Sequence, residues 1–341
     1  MSVHAGRAAI LAVDGGNSKT DVALVAADGR LLAVLRGPTT SHQQVGLETG
    51  ADRLAALVGQ ARAQAGLAPD EGPAQVGVYA LAGADTPSDT RRLTASLAKR
   101  GLAGSDLVIN DAFAPIRAGS SRGWGIGLIC GSGMNAAGIA PDGRTARLAA
   151  LGGISGDWGG GGDVGLAALG AAVRARDGRG PRTALETLVP QQFGFRRPID
   201  LTRAIELGSV PQSRLRELSP LVFRVAGSGD PVARSIVDRL ADELVAMAGA
   251  MIRRLNLTRF DPDVVMGGGV FNARDEDFEA RIAAGVHAVA PKATLRRSDA
   301  PPVLGAALLG LDRLDGNRTT DRDSAEARLR AALRDWRPAS R

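Results

Sequence analysis

One cysteine, Cys130, stands in 341 residues. That excludes an internal disulfide and points to a reducing compartment. Aromatic residues make up only 3% of the chain, too few for a platform on which nucleic-acid bases could stack. No run approaches the ~20 unbroken apolar residues of a membrane span. The opening "MSVHAGRAAILAVDGG" lacks the apolar core and small-residue cleavage site of a signal peptide. Lysine is nearly missing too: Lys19, Lys99 and Lys292 are the only three, so the net charge of +6 is an arginine charge, interspersed with acids. This describes a solvated mixed-charge surface. The expectation is a cytoplasmic protein that binds neither nucleic acid nor membrane. The P-loop pattern GxxxxGK[ST] occurs nowhere.

What is present is a repeated order of elements, in a chain long enough for two domains with a core each. Residues 8–13, 21–26 and 31–36 read as strands, the last two joined by "ADGR" (27–30), a good hairpin turn. A helix over 48–65, a strand over 76–82, a helix over 88–100 and a strand over 106–110 follow. The pattern then restarts. "WGIGLICGSGMN" (124–135) is again an apolar strand opening onto glycines, and "AAGIA", "PDGR" and "TARLAA" (136–150) repeat the hairpin. Helices are expected near 163–175, 181–189, 199–206, 213–226 and 230–255, with strands at 262–267 and near 293–297. The element order β-β-β-α-β-α-β thus occurs twice, without residue-level identity between the copies. Two such α/β halves imply a cleft between them. The domains are expected at 1–118 and 119–302. An apolar helix at 303–315 would pack back on the first, and an Arg-rich tail covers 316–341, its stretch 323–336 a surface helix or partly disordered.

Three glycine clusters follow strands. In "DGGNSKT", Asp14 ends a strand and Gly15, Gly16, Asn17, Ser18, Lys19 and Thr20 follow it. Backbone N–H groups of such a hairpin can point at phosphate oxygens, with the small polar side chains as further donors. Asp14 would then need a cation between itself and the phosphate, which implies Mg²⁺ held through water. The same residues also make a plain hairpin turn. Gly131, Ser132 and Gly133, followed by Asn135, occupy the equivalent place in the second half. Gly267, Gly268, Gly269 and Val270 end the strand "DVVM" and would let a base or ribose lie on the backbone, or form a tight turn only.

Asp111 in "LVINDAFAPIRAG" lies between a buried strand and a helix. It is a helix cap or a general base that accepts the proton of an attacking hydroxyl in phosphoryl transfer. "LGGISGDWGGGGDVG" (151–165) holds eight glycines in fifteen residues. Such a stretch stays mobile or wraps a ligand, and its Asp157 could accept from paired sugar hydroxyls. Ser41 and His42 in "GPTTSHQQVG" are further candidates for hydroxyl recognition.

Taken in order, "DGGNSKTD", "GPTTSHQQVG", "NDAFAPIRAG", "GSGMNAAG" and "GGISGDWGGG" resemble the BadF/BadG/BcrA/BcrD-type ATPases of the sugar kinase, actin and Hsp70 superfamily, over about residues 8 to 315. Within that family the chain looks like the N-acetylglucosamine kinases. The resemblance implies an α/β fold of two actin-like (RNase H-like) lobes that close over the cleft, ATP and Mg²⁺ as cofactors, and a homodimer. It makes Asp14 to Thr20 the first phosphate loop, with Asp14 on Mg²⁺, and Gly131 to Gly133 the second. Asp111 becomes the base that also holds the sugar hydroxyl, and Gly267 to Val270 the adenosine segment. Ser41, His42, Asn110, Asn135, Gly153 and Asp157 fall on the sugar side.

Two positions depart from the family pattern. Gly156-Asp157-Trp158-Gly159 stands where Gly-Asp-Glu-Gly is usual, and Ser41-His42-Gln43 where the N-acetylglucosamine kinases carry Asn-His-Trp. The expected activity is phosphorylation of an amino sugar, N-acetylglucosamine or glucosamine, on its primary hydroxyl. The alternatives are a non-catalytic sugar or nucleotide sensor, and an ATPase activator of a 2-hydroxyacyl-CoA dehydratase. The second needs several cysteines for its iron–sulfur cluster, where this chain has one.

Overall fold

The computed structural model describes residues 8–68, 71–298, 300–314, 322–334 and 336. They form two compact units. One comprises the described residues of Met1–Gly123 and Ser298–Arg341, the other Trp124–Arg297.

The first unit opens with β1 (Ile10–Gly15), β2 (Lys19–Val25) and β3 (Leu31–Pro38). Next come the short α1 (His42–Val45), α2 (Leu47–Gln64), β4 (Ala74–Leu81), α3 (Pro87–Ala98), β5 (Ala103–Asn110) and α4 (Ala114–Gly119). The sheet order is β3-β2-β1-β4-β5. β1 and β2 pair antiparallel, whereas β1, β4 and β5 run parallel. Alternation along β1 splits its side chains between two cores: Leu11 and Val13 join a cluster with Leu54, Leu57 and Leu97, while Ile10 and Ala12 join the other face.

The second unit repeats this plan with β6 (Gly125–Cys130), β7 (Met134–Ile139) and β8 (Thr145–Arg147). The helices α5 (Gly160–Arg176), α6 (Leu185–Gln191), α7 (Pro198–Glu206), α8 (Ser219–Gly227) and α9 (Pro231–Arg254) follow. The unit closes with β9 (Asp263–Gly267), α10 (Glu276–Val289) and β10 (Thr294–Arg297). Its sheet order, β10-β9-β6-β7-β8, is that of the first sheet, with β6, β9 and β10 parallel. The duplicated α/β order read from the sequence is therefore the observed one.

Several boundaries differ from expectation for physical reasons. β1 continues through Asp14 to Gly15 because both pair with β2, so the turn shrinks to residues 16–18. The helix expected over 213–226 divides into a 3-10 stretch, Gln212–Leu218, and α8, because Pro220 sits in the first turn of α8. The α10 helix is implied by the repeated order but has no expected range of its own: only Phe278, Ile282 and Val286 of it are buried, a faint stripe. The division of the chain falls at 123/124 and 297/298 rather than at 118/119 and 302/303.

After β10 the chain returns to the first unit. α11 (Pro302–Leu314) buries Val303, Leu304, Ala307, Leu308 and Leu311 in the cluster that holds Ile10 and Ala12. The Arg-rich stretch forms α12 (Arg322–Arg334), which adds Ala325, Leu329 and Leu333 to the same core. The linker read from Gly316 lies outside the described residues up to Arg322. Among the described residues no helix is long and apolar enough to cross a membrane.

Candidate functional site

In the first unit the candidates gather at the carboxyl ends of β1, β4 and β5, where parallel α/β sheets bind ligands. Gly15, Leu81 and Asn110 are neighbours across the three strands. The Gly16 N–H closes the turn onto the Lys19 carbonyl at 2.9 Å, leaving Asn17, Ser18 and Lys19 exposed and Thr20 buried. Segment 39–41 is laced to that turn. The Thr39 hydroxyl donates to the Gly16 carbonyl at 2.8 Å, Thr40 and Thr20 hydroxyls lie 2.9 Å apart, and the Ser41 hydroxyl donates to Asn17 Oδ1 at 2.6 Å. Ser41 is therefore a tie between two candidate segments. His42 is half-buried, and its Nδ1 is buried without a hydrogen-bond partner.

Asp14 sits among acids. Burial first, then Asp21 and Asp111, push its carboxyl up to about 7, against the pull of Lys19 and Arg36. Asp21 is fully buried and held by Arg36 through two bonds of 2.6 Å. A carboxylate at that edge, disfavoured in its charged form, is a donor suited to a hard divalent cation. Among the described residues no three His, Cys, Asp or Glu side chains gather as a metal site by themselves. Asp111 donates its N–H to the Leu81 carbonyl at 3.3 Å. The cap position of α4 is Phe113, two residues further on.

In the second unit the glycine-rich stretches converge at the ends of β6 and β9. The Gly131 N–H bonds the Gly133 carbonyl at 2.9 Å, and Gly161 and Gly162 at the start of α5 donate to the Gly131 and Ser132 carbonyls at 2.7 and 2.9 Å. A β-carbon on Gly160 would lie 2.5 Å from Gly133 Cα, and one on Gly268 (φ +105°) would lie 2.3 Å from the Cys130 carbonyl oxygen. Glycine is what allows the three segments to touch. The run 151–165 therefore divides. Gly159–Gly161 are buried against the loop, while Gly152–Ser155 form an exposed 3-10 turn.

Gly153 is exposed on that turn, and Asp157 beyond it accepts from the Ser155 hydroxyl. Trp158, the residue that departs from the usual Gly-Asp-Glu-Gly pattern, has the Arg239 guanidinium 3.9 Å from its ring centre. Asn135 lies on β7 opposite Ile129, its Oδ1 buried and without a hydrogen-bond partner.

Gly269 and Val270 form one wall of a groove of ≈ 440 Å³, together with Asn272 and Arg274. Phe223 and Arg224 of α8 line it as well. Apolar surface flanked by two guanidinium groups suits a flat base attached to an anion. Sequence reading found Gly269 and Val270 but gave the helix expected over 213–226 no part in a site, because its pattern is that of any buried helix. It also missed Asp85, in the turn before α3, which accepts from Asn110 Nδ2 at 2.9 Å. Cys130 is wholly buried, and burial pushes its thiol up to about 12, which removes it as a reachable cluster ligand.

A model of the BadF/BadG/BcrA/BcrD ATPase family matches residues 11–310. An N-acetylmuramic acid/N-acetylglucosamine kinase of Clostridium acetobutylicum is 29% identical over 77% of this chain and 85% of its own. An N-acetyl-D-glucosamine kinase of Dictyostelium discoideum is 25% identical over 89% of this chain and 97% of its own. Among solved structures, a candidate N-acetylglucosamine kinase of Chromobacterium violaceum superposes with a TM-score of 0.66 at 23% identity, over 90% of this chain and 99% of that one.

Proposed function

We propose that this chain, which belongs to the BadF/BadG/BcrA/BcrD ATPase family, is an ATP-dependent kinase of an amino sugar of the N-acetylglucosamine class. The observation that carries the reading is the acidic edge of the first sheet: Asp14 near the end of β1 and Asp111 just past the end of β5 lie at the carboxyl ends of parallel strands beside the glycine turn, and the Asp111 charge helps to raise the Asp14 carboxyl. The two curated relatives, named as kinases of N-acetylated amino sugars, support the substrate class.

In this reading Asp111 accepts the proton of the sugar's primary hydroxyl as that oxygen attacks the γ-phosphoryl group. Asp14 holds Mg²⁺ through water, and the cation would supply charge neutralisation for the phosphates. The Gly16 and Gly131 N–H groups close their own turns, and the N–H groups of Asn17, Ser18, Ser132 and Gly133 go to phosphate oxygens, while the groove at Gly269, Val270 and Arg224 takes the adenosine. His42, Asn135 and Asp157 bind sugar hydroxyls; the orphaned Asn135 Oδ1 and His42 Nδ1 are atoms such a ligand would satisfy.

The test is ADP release from Mg-ATP with N-acetylglucosamine, glucosamine, N-acetylmannosamine, N-acetylmuramic acid, glucose and no sugar. Turnover confined to one or two amino sugars is expected, and Asp111→Asn should lower it by about 10²–10⁴-fold. A folded Asp111→Asn protein with full activity would remove Asp111 from the role. ADP release independent of sugar would overturn the kinase reading.

A further inference from the structure

The turn between β4 and α3 contains no residue singled out from the sequence, yet it touches two segments that were. Its Asp85 is half-buried and uses both carboxylate oxygens. Oδ1 accepts the Asn110 Nδ2–H at 2.9 Å, and Oδ2 accepts the Gln43 Nε2–H at 3.2 Å. Two residues earlier, Gly83 (φ +84°) lies so close to α1 that a β-carbon on it would meet His42 Cε1 at 2.5 Å and Gln43 Cδ at 2.9 Å. Residues 42 and 43 thus rest directly on this turn.

The consequence falls on residue 111. Asn110 Oδ1 accepts the Ala112 N–H at 3.1 Å, so the Asn110 side chain bridges over Asp111. An amide can make this bridge only with its oxygen toward Ala112. Asp85, an acceptor without a proton to give, draws the NH₂ to itself and leaves the oxygen on Ala112. The Asp111 N–H on the Leu81 carbonyl and the Phe113 N–H on the Asn110 carbonyl, at 3.3 and 3.1 Å, anchor the same stretch.

We infer that Asp85 is a positioning residue, whose carboxylate sets the Asn110–Ala112 bridge around Asp111 and ties it to segment 42–43. What Asp111 does in this inference rests on the kinase reading; the tie itself does not.

Asp85→Asn keeps the size but can accept from only one of the two donor amides and turns its own NH₂ on the other. It should lower kcat for the amino sugar by about tenfold or more, leave KM for ATP unchanged, and speed hydrogen exchange at the Ala112 amide. Adding Gln43→Glu offers that NH₂ an acceptor and frees the residue-85 oxygen for Asn110. The double variant should recover both kcat and protection at Ala112, whereas Gln43→Glu alone, facing the Asp85 carboxylate, should not improve on the parent.

Unchanged kcat and unchanged Ala112 exchange in Asp85→Asn would overturn the inference, as would losses that Gln43→Glu fails to recover. Ala112 exchange that follows this scheme in a protein without sugar kinase activity would support the tie and overturn the kinase reading instead.

Discussion

Arg117 and Glu326 are separated by 209 residues, and a guanidinium nitrogen of the first lies 2.6 Å from a carboxylate oxygen of the second. Arg117 is only 3% exposed and also grips Asp312 at 2.9 and 3.0 Å. Arg330 donates to the Arg117 and Ser120 carbonyls at the end of α4. The helix that follows Asp111 is thus clamped by α11 and α12, and α12 lies beyond residues 11–310 of the family match.

Glu326→Gln should cost on the order of 2–3 kcal/mol at neutral pH. That is less than the full penalty of a broken buried pair, because Asp312 still faces Arg117. Burial raises the Glu326 carboxyl, but hydrogen bonds from Arg117 and Arg330 outweigh it and bring it down to about 2 from 4.5. A depressed carboxyl stabilises the fold above its unfolded pKa and loses that effect as pH falls through the folded one. Thermal melts of parent and variant should therefore differ at pH 7 and converge between pH 4.5 and about 2. Equal melting at neutral pH would show that the clamp contributes nothing.

Asp14 works in the opposite direction. Its folded-state carboxyl, at about 7, lies above the unfolded 3.8, so the folded chain holds the proton more tightly and stability falls as pH rises from about 4 to about 7, by up to about 1.4 kcal/mol per pH unit. Without nucleotide or metal, Asp14→Asn should melt higher than the parent at pH 8 and alike below pH 4. Its kinase activity should drop about 10–100-fold. A parent melting temperature flat across pH 4–7, relative to the variant, would contradict the placement of Asp14.

Gly268→Ala puts a methyl group 2.3 Å from the Cys130 carbonyl at φ +105°. It should lower the melting temperature by several degrees and raise KM for ATP together, since the end of β9 must move away from β6. Gly153→Ala meets open space and should leave the melting temperature unaltered.

Arg224 is exposed on the rim of the groove beside Gly269. Arg224→Met should raise KM for ATP about tenfold, the worth of one charge-assisted hydrogen bond, without altering KM for the sugar or the melting temperature. An unchanged KM for ATP would place the nucleotide elsewhere.

Features governed by neighbours in sequence were legible in it. The two Asp-Gly-Arg hairpins are alike even in detail: Ala26 N–H meets the Arg30 carbonyl at 2.9 Å, Ala140 N–H meets that of Arg144 at 2.8 Å, and each Arg pairs with its Asp two residues back. Glycine turns and apolar strands are local matters of φ and side-chain alternation, so their repetition revealed two copies of one sheet. Tertiary structure alone decided that the glycines at 159–161 brace the loop at 131–133, that Ser41 is occupied by Asn17, that Asp85 reaches both Gln43 and Asn110, and that an Arg-rich tail completes the core behind Asp111. Each of these is a contact between atoms far apart along the chain, made when burial of apolar faces brings strand ends and helices together, and no spacing of residue types encodes which partner arrives.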